Sequence, residues 1–183
     1  MNTLETVYKL TDIHSRTRPG HYNECQGGKG ITHSASGKGP LCTESWIHAY
    51  SHPLIAVLMN PVHACYSPAL LWKCRAEVGI RNADKLGCRI LTTIDQLDLP
   101  VVTTTQRCAF AVLVAKQVYK DAAFNKWAEG WLSGKDRTEA AASAAASAAA
   151  WAEASAARAA ARAAAGAEKL DLISIAKEAV ANY

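Results

Sequence analysis

Apolar and polar positions change rhythm along this chain, from alternation over roughly the first hundred residues to a helical period afterwards. The clearest strand signal is residues 71–78. There Trp72, Cys74, Ala76 and Val78 alternate with Lys73, Arg75 and Glu77, which predicts one buried face and one wet face. Residues 88–94 form a second β-rich run, and residues 5–11 and 45–50 read as shorter strands. Residues 18–40 read as a loop region holding Gly20, Gly27, Gly28, Gly30, Gly37 and Gly39, with the short extended piece ITHSAS inside it. Pro53 occupies a first helical position with Ser51 or His52 as the cap. PLIAVLM then makes a short helix, which Asn60-Pro61 is expected to end.

The period changes at Thr103. Thr103-x-x-Gln106 has the spacing of a capping box, and Phe110, Leu113, Val114 and Val118 share one face of the helix that follows. A second helix is predicted after Asp121, with Phe124, Trp127 and Trp131 on one side and an end near Gly134. Asp136-x-x-Glu139 is a further capping box, and it opens an alanine tract. Strands thus come first and helices last, which predicts an α+β fold: a small mixed or antiparallel sheet with helices packed on it, followed by a long alanine-rich C-terminal helix. The expected divisions are a head at 1–134, the alanine-rich helix at 135–168 and a short C-terminal docking helix at 169–183.

On a helical wheel the tract segregates its residues. Ser143, Ser147, Trp151, Ser155, Arg158, Arg162 and Gly166 fall in one sector, leaving a broad face of methyl groups. Such a face permits close approach of another helix, so self-association or packing on the head is expected of it. The last segment, with Leu170, Leu172, Ile173, Ile175, Val180 and Tyr183, reads as a helix capped by Asp171.

Composition narrows the functional classes. The net charge of +4 is mild and has no basic block, so no phosphate-tracking nucleic-acid surface is expected, and an acidic nucleic-acid mimic is excluded. No apolar run is long enough for a membrane span. The start, MNTLETVYKL, lacks a signal-peptide pattern, so the six cysteines are expected to be reduced thiols in a cytosolic protein.

All six histidines lie within the first 63 residues. Cys42, His48, His52, His63 and Cys65 are zinc-ligand types, but their spacing matches no metal motif, and neither a metal site nor a cofactor is assigned. GKG occurs at 28–30 and 37–39, and neither copy fits a phosphate loop. No catalytic constellation is complete. Alternation in residues 46–50 puts Trp46, His48 and Tyr50 on one face, either as a core stripe or as the wall of a ligand pocket. With His52 and His63 these are the candidate binding residues.

The runs GITHSASGKGPLC, SWIHAYSHPLIAVLMNPVHA, ALLWKCRAEVG, GCRILTTI and VTTTQRCAFAVLVAKQVYKDAAFNKWAEGWLSGKDRT, followed by an alanine-rich tail, resemble a family of uncharacterised proteins encoded by tailed bacteriophages. The resemblance spans roughly residues 6–180. It implies a phage accessory protein acting in the host cytoplasm, where it binds and modulates or inhibits a host protein, such as part of a bacterial defence system. A fainter similarity, in the order strand, WIHAY, helix, strand, is to ADP-ribosyltransferase-like folds. It implies a nucleotide-binding or transferase alternative built on the Trp46, His48 and Tyr50 face, with no acidic partner assigned.

Overall fold

The computed structural model describes residues 3–138 and 170–183, and the expected alanine helix and its self-association lie outside the described residues. The chain forms two compact units, Met1–Val101 and Val102–Tyr183.

The first unit is built on two long antiparallel strands. In order along the chain its elements are β1 (Glu5–Asp12), β2 (Arg16–Thr17), β3 (Cys25–Gln26), β4 (Thr32–Ser34), β5 (Ile47–Ala49), α1 (Pro53–His63), β6 (Ala69–Arg81) and β7 (Leu86–Leu97). β6 and β7 pair along most of their lengths, with register shifts between Lys73 and Cys74 and around Val78. β1 adds to the far side of β6, while β4 and β5 both pair with β7, all antiparallel. The predicted strand at 71–78 is therefore an interior strand, extended at both ends. β2 and β3 form a separate two-stranded ribbon.

The sheet also returns on itself. Just past β5, Tyr50 and Tyr8 exchange two backbone hydrogen bonds of 2.7 and 2.8 Å, so the hydrogen-bonded path runs β1–β6–β7–β5 and back to β1. Inside lie Val7, Ala49, Trp72, Cys74, Ala76, Leu86, Cys88 and Leu91. The buried alternation of Trp72, Cys74 and Ala76 predicted from the sequence supplies the β6 share of this core. Trp72 keeps its one donor satisfied, since its Nε1–H donates to Thr11 Oγ1 at 3.0 Å in a buried bond.

α1 departs from expectation. Pro53 is its first residue and His52 its cap, the imidazole Nδ1 accepting from Leu54 N at 3.2 Å. The helix does not stop at Asn60 but continues through Pro61 to His63. Pro61 has no N–H to give the last turn, and Asn60 secures that turn instead. Its carbonyl accepts from Ala64 N and Cys65 N, and its side-chain amide holds both the N–H and the carbonyl of Tyr66. The chain then turns at Cys65, whose φ is 54°.

The second unit is helical where described: α2 (Thr104–Val118), α3 (Ala122–Leu132) and α4 (Leu172–Asn182). The capping box at Thr103 closes in both directions, with Gln106 N on Thr103 Oγ1 at 3.2 Å and Thr103 N on Gln106 Oε1 at 2.9 Å. Asp121 and Asp171 cap the other two helices as their sequence positions suggest. α4 docks against α2, and Gln106 Nε2 donates to Val180 O across that contact at 2.9 Å. The second half of the Asp136 box, Glu139, falls outside the described residues.

Trp72→Ala should therefore cost about 3–5 kcal/mol, as expected for a buried indole. Thr11→Val, which strands the indole N–H, should cost about 1–3 kcal/mol. Urea denaturation of both variants checks this; an unchanged midpoint for Trp72→Ala would remove it from the core.

Candidate functional site

A cleft of about 880 Å³ opens in the Met1–Val101 unit, and its lining brings together residues far apart in the sequence. Of the five candidates, Trp46, His48, Tyr50 and His63 line it, while His52 is occupied as the cap of α1.

Trp46 is a wall of the cleft and nearly buried. Its indole lies across Gly79 and Gly87, one on each long strand. A Cβ at Gly79 would come within 2.6 Å of the ring, and one at Gly87 within 3.0 Å. Its Nε1–H donates to Gly39 O at 3.0 Å, and the Arg89 guanidinium sits 5.7 Å from the ring centroid. The glycine-rich segment before β5 is thus tied down by an aromatic anchor.

His48 follows, with Nε2 hydrogen-bonded to the carbonyl of Leu41. That acceptor places the proton on Nε2 and leaves Nδ1 as the acceptor nitrogen. Burial is the main cause lowering the His48 pKa. The Leu41 carbonyl opposes it, and the charges of Lys85, Lys9 and Arg18 add to it. Lys9, Arg18 and Lys85, from three separate segments, all line the same cleft.

Lys9 was not among the sequence candidates. It sits on β1 two residues from Val7 and two from Thr11, so it shares their inward-facing parity. Its Nζ donates to the backbone carbonyl of His48 at 2.8 Å. Burial holds its pKa below the usual lysine value, Cys74, Cys88 and Cys25 raise it, and Arg18 lowers it further. Among the described residues no carboxylate forms an ion pair with Lys9, Arg18 or Lys85. Arg18 itself has φ of 53°, a conformation uncommon outside glycine, and its N–H donates to Tyr66 Oη at 3.2 Å. The one acidic residue on the cleft lining is Glu44, which accepts a hydrogen bond from the Tyr22 hydroxyl.

Tyr50, His63 and Asp84 form a relay at the cleft. Tyr50 Oη is 3.2 Å from His63 Nδ1, with the two rings stacked at 5.8 Å, and His63 Nε2 is 3.1 Å from Asp84 Oδ2. One tautomer satisfies both bonds: Tyr50 donates to Nδ1, and the Nε2–H donates to Asp84. Burial, then the negative charge of Asp84, raises the Tyr50 pKa strongly, so the phenol stays protonated and serves as a donor. Asp84 moves the other way. Burial pushes its pKa up, but the hydrogen bond and charge of His63, with Lys85, bring it below 3.8. Its second oxygen, Oδ1, is buried with no hydrogen-bond partner among the described residues.

The histidines and cysteines do not assemble a metal site among the described residues, and all six cysteines are free thiols. No helix of the described residues is long and apolar enough to cross a membrane. Comparison of the chain with protein-family models, with curated proteins and with solved structures gives no match.

The lowered pKa of Asp84 gives a pH dependence with a definite sign. The carboxylate's contribution to stability is complete above the unfolded value near 3.8 and is lost as pH falls through the lower folded value. Asp84→Asn should reduce stability at neutral pH by on the order of 1–3 kcal/mol. It should also flatten the acid limb below about pH 4. Denaturant melts across that range test it; parallel acid limbs in the two proteins would remove Asp84 from the acid response.

Proposed function

We propose that the Met1–Val101 unit is a binding module for a small organic anion, held in the cleft with its phosphate or carboxylate among Arg18, Lys85 and Lys9. Three basic residues, Lys9, Arg18 and Lys85, line one cleft and form no ion pair with a carboxylate among the described residues, which supports this reading. A protein does not keep such charges together in a partly desolvated cleft without cost, and a bound anion removes that cost. Tyr66 adds an aromatic wall. This narrows the nucleotide-binding alternative to its chemistry, and nucleotides are the first class to try.

The second reading is a phage accessory protein that binds a host protein in the host cytoplasm. It is favoured by the runs of residues that resemble phage-encoded proteins, and the two readings are compatible in one chain.

Calorimetry with inorganic phosphate, AMP, NAD and citrate at low and high salt tests the anion reading. Arg18→Gln with Lys85→Gln should weaken binding at least roughly tenfold, since charge-assisted hydrogen bonds are worth about 1.5–3 kcal/mol. Lys9→Met should weaken binding while leaving the melting temperature equal or higher, because it removes a buried amine whose charged form is disfavoured. Heat signals identical in all variants, or none from any probe, would overturn the reading. A protein captured from bacterial lysate equally by wild type and Lys9→Met, with no small-anion response, would put the host-binding reading in its place.

A further inference from the structure

We propose that Lys9 forms an imine with an aldehyde or ketone that also carries a phosphate or carboxylate group. The proposal rests on the anion reading above and adds a covalent step to it.

The first support is the setting of the amine. Lys9 Nζ has a backbone carbonyl as its partner, not a carboxylate, and it lines the cleft. Burial favours its neutral form, one of the means by which a lysine becomes a nucleophile near neutral pH. The contrast within the chain is Lys29, which is 78% exposed and paired with Asp95 at 2.9 Å. The second support is the pair of anchors. Arg18 and Lys85 line the same cleft as Lys9, so an anion held by them brings an attached carbonyl group into the amine's neighbourhood.

The step balances without oxidant or reductant. The Nζ lone pair adds to the carbonyl carbon, and the C=O π electrons move to oxygen, which takes a proton. The nitrogen loses a proton, leaving a neutral carbinolamine. The C–O bond then breaks, the hydroxyl leaving as water with a second proton while the nitrogen lone pair forms the C=N bond. Loss of the remaining N–H proton gives the neutral imine, with one water released for each carbonyl consumed.

The full-length chain would be incubated separately with glyoxylate, pyridoxal 5′-phosphate and the uncharged propionaldehyde, then treated with borohydride, which reduces any imine to a stable amine. Peptide mass mapping locates the adducts. With at least one of the anionic probes, the peptide holding Lys9 should carry at least about tenfold more adduct than any other lysine peptide, and inorganic phosphate should suppress it. Whichever probe labels, carboxylate or phosphate, identifies the anion the anchors prefer. Propionaldehyde should label Lys9 no better than the surface lysines. Lys9→Arg should lose the adduct; should that variant fail to fold, the wild-type peptide map decides alone. Labelling spread over Lys29, Lys38 and Lys73, with phosphate binding intact, would overturn the imine and leave the anion site standing. Absence of both adduct and phosphate binding would overturn both.

Discussion

The two backbone hydrogen bonds between Tyr8 and Tyr50 are the constraint on which the first unit depends. They join the strand after the glycine-rich region to the first strand of the chain, completing the circuit β1–β6–β7–β5. Without them β5 would hang from β7 by three residue pairs, and β1 would be an edge strand with unpaired groups. With them, the carbonyl of His48 is set where Lys9 meets it, and the Tyr50 phenol is directed to His63 near the end of α1. The core and the cleft are two results of one closure.

The same closure explains the tension at Lys9. A short closed circuit of strands has little interior, and half of its eight buried core positions hold small or thiol-bearing side chains, Ala49, Ala76, Cys74 and Cys88. These leave the lysine stem surrounded but give its nitrogen few polar partners. Burial pushes the Cys74 thiol up to about 12 and the Cys88 thiol up to about 11, so neither supplies a compensating charge near neutral pH. The surroundings that stabilise the apolar neighbours of Lys9 are the ones that disfavour its ammonium form.

The sheet was legible because alternation is local: Trp72, Cys74 and Ala76 announced which face of β6 is buried, and the capping residues Thr103, Asp121 and Asp171 announced where helices begin. The end of α1 was not, because a rule about Pro61 taken alone ignores the amide of Asn60, whose partner Tyr66 lies beyond the helix. The site was legible in half. The histidine-rich stretch pointed to His48 and His63, and the alternating aromatics to Trp46 and Tyr50. Lys9 did carry a signal, a charged residue at an inward-facing position between Val7 and Thr11. Arg18 and Asp84 carried none, since each sits in a turn and reaches the site through closure over dozens of residues.

Trp46 and its two glycines carry a consequence for how this protein can vary. The indole fills space that exists because Gly79 and Gly87 lack side chains, and these glycines sit on different strands joined by pairing, not by sequence proximity. The three positions form one steric unit with a fixed volume to share. In related chains, a methyl or larger group at 79 would be expected alongside a smaller residue at 46, and one at 87 would need changes at 80 and 41 as well, with a looser tether on the segment from 37 to 41. Co-variation among these positions would then mark which relatives hold that segment against the cleft and which let it go.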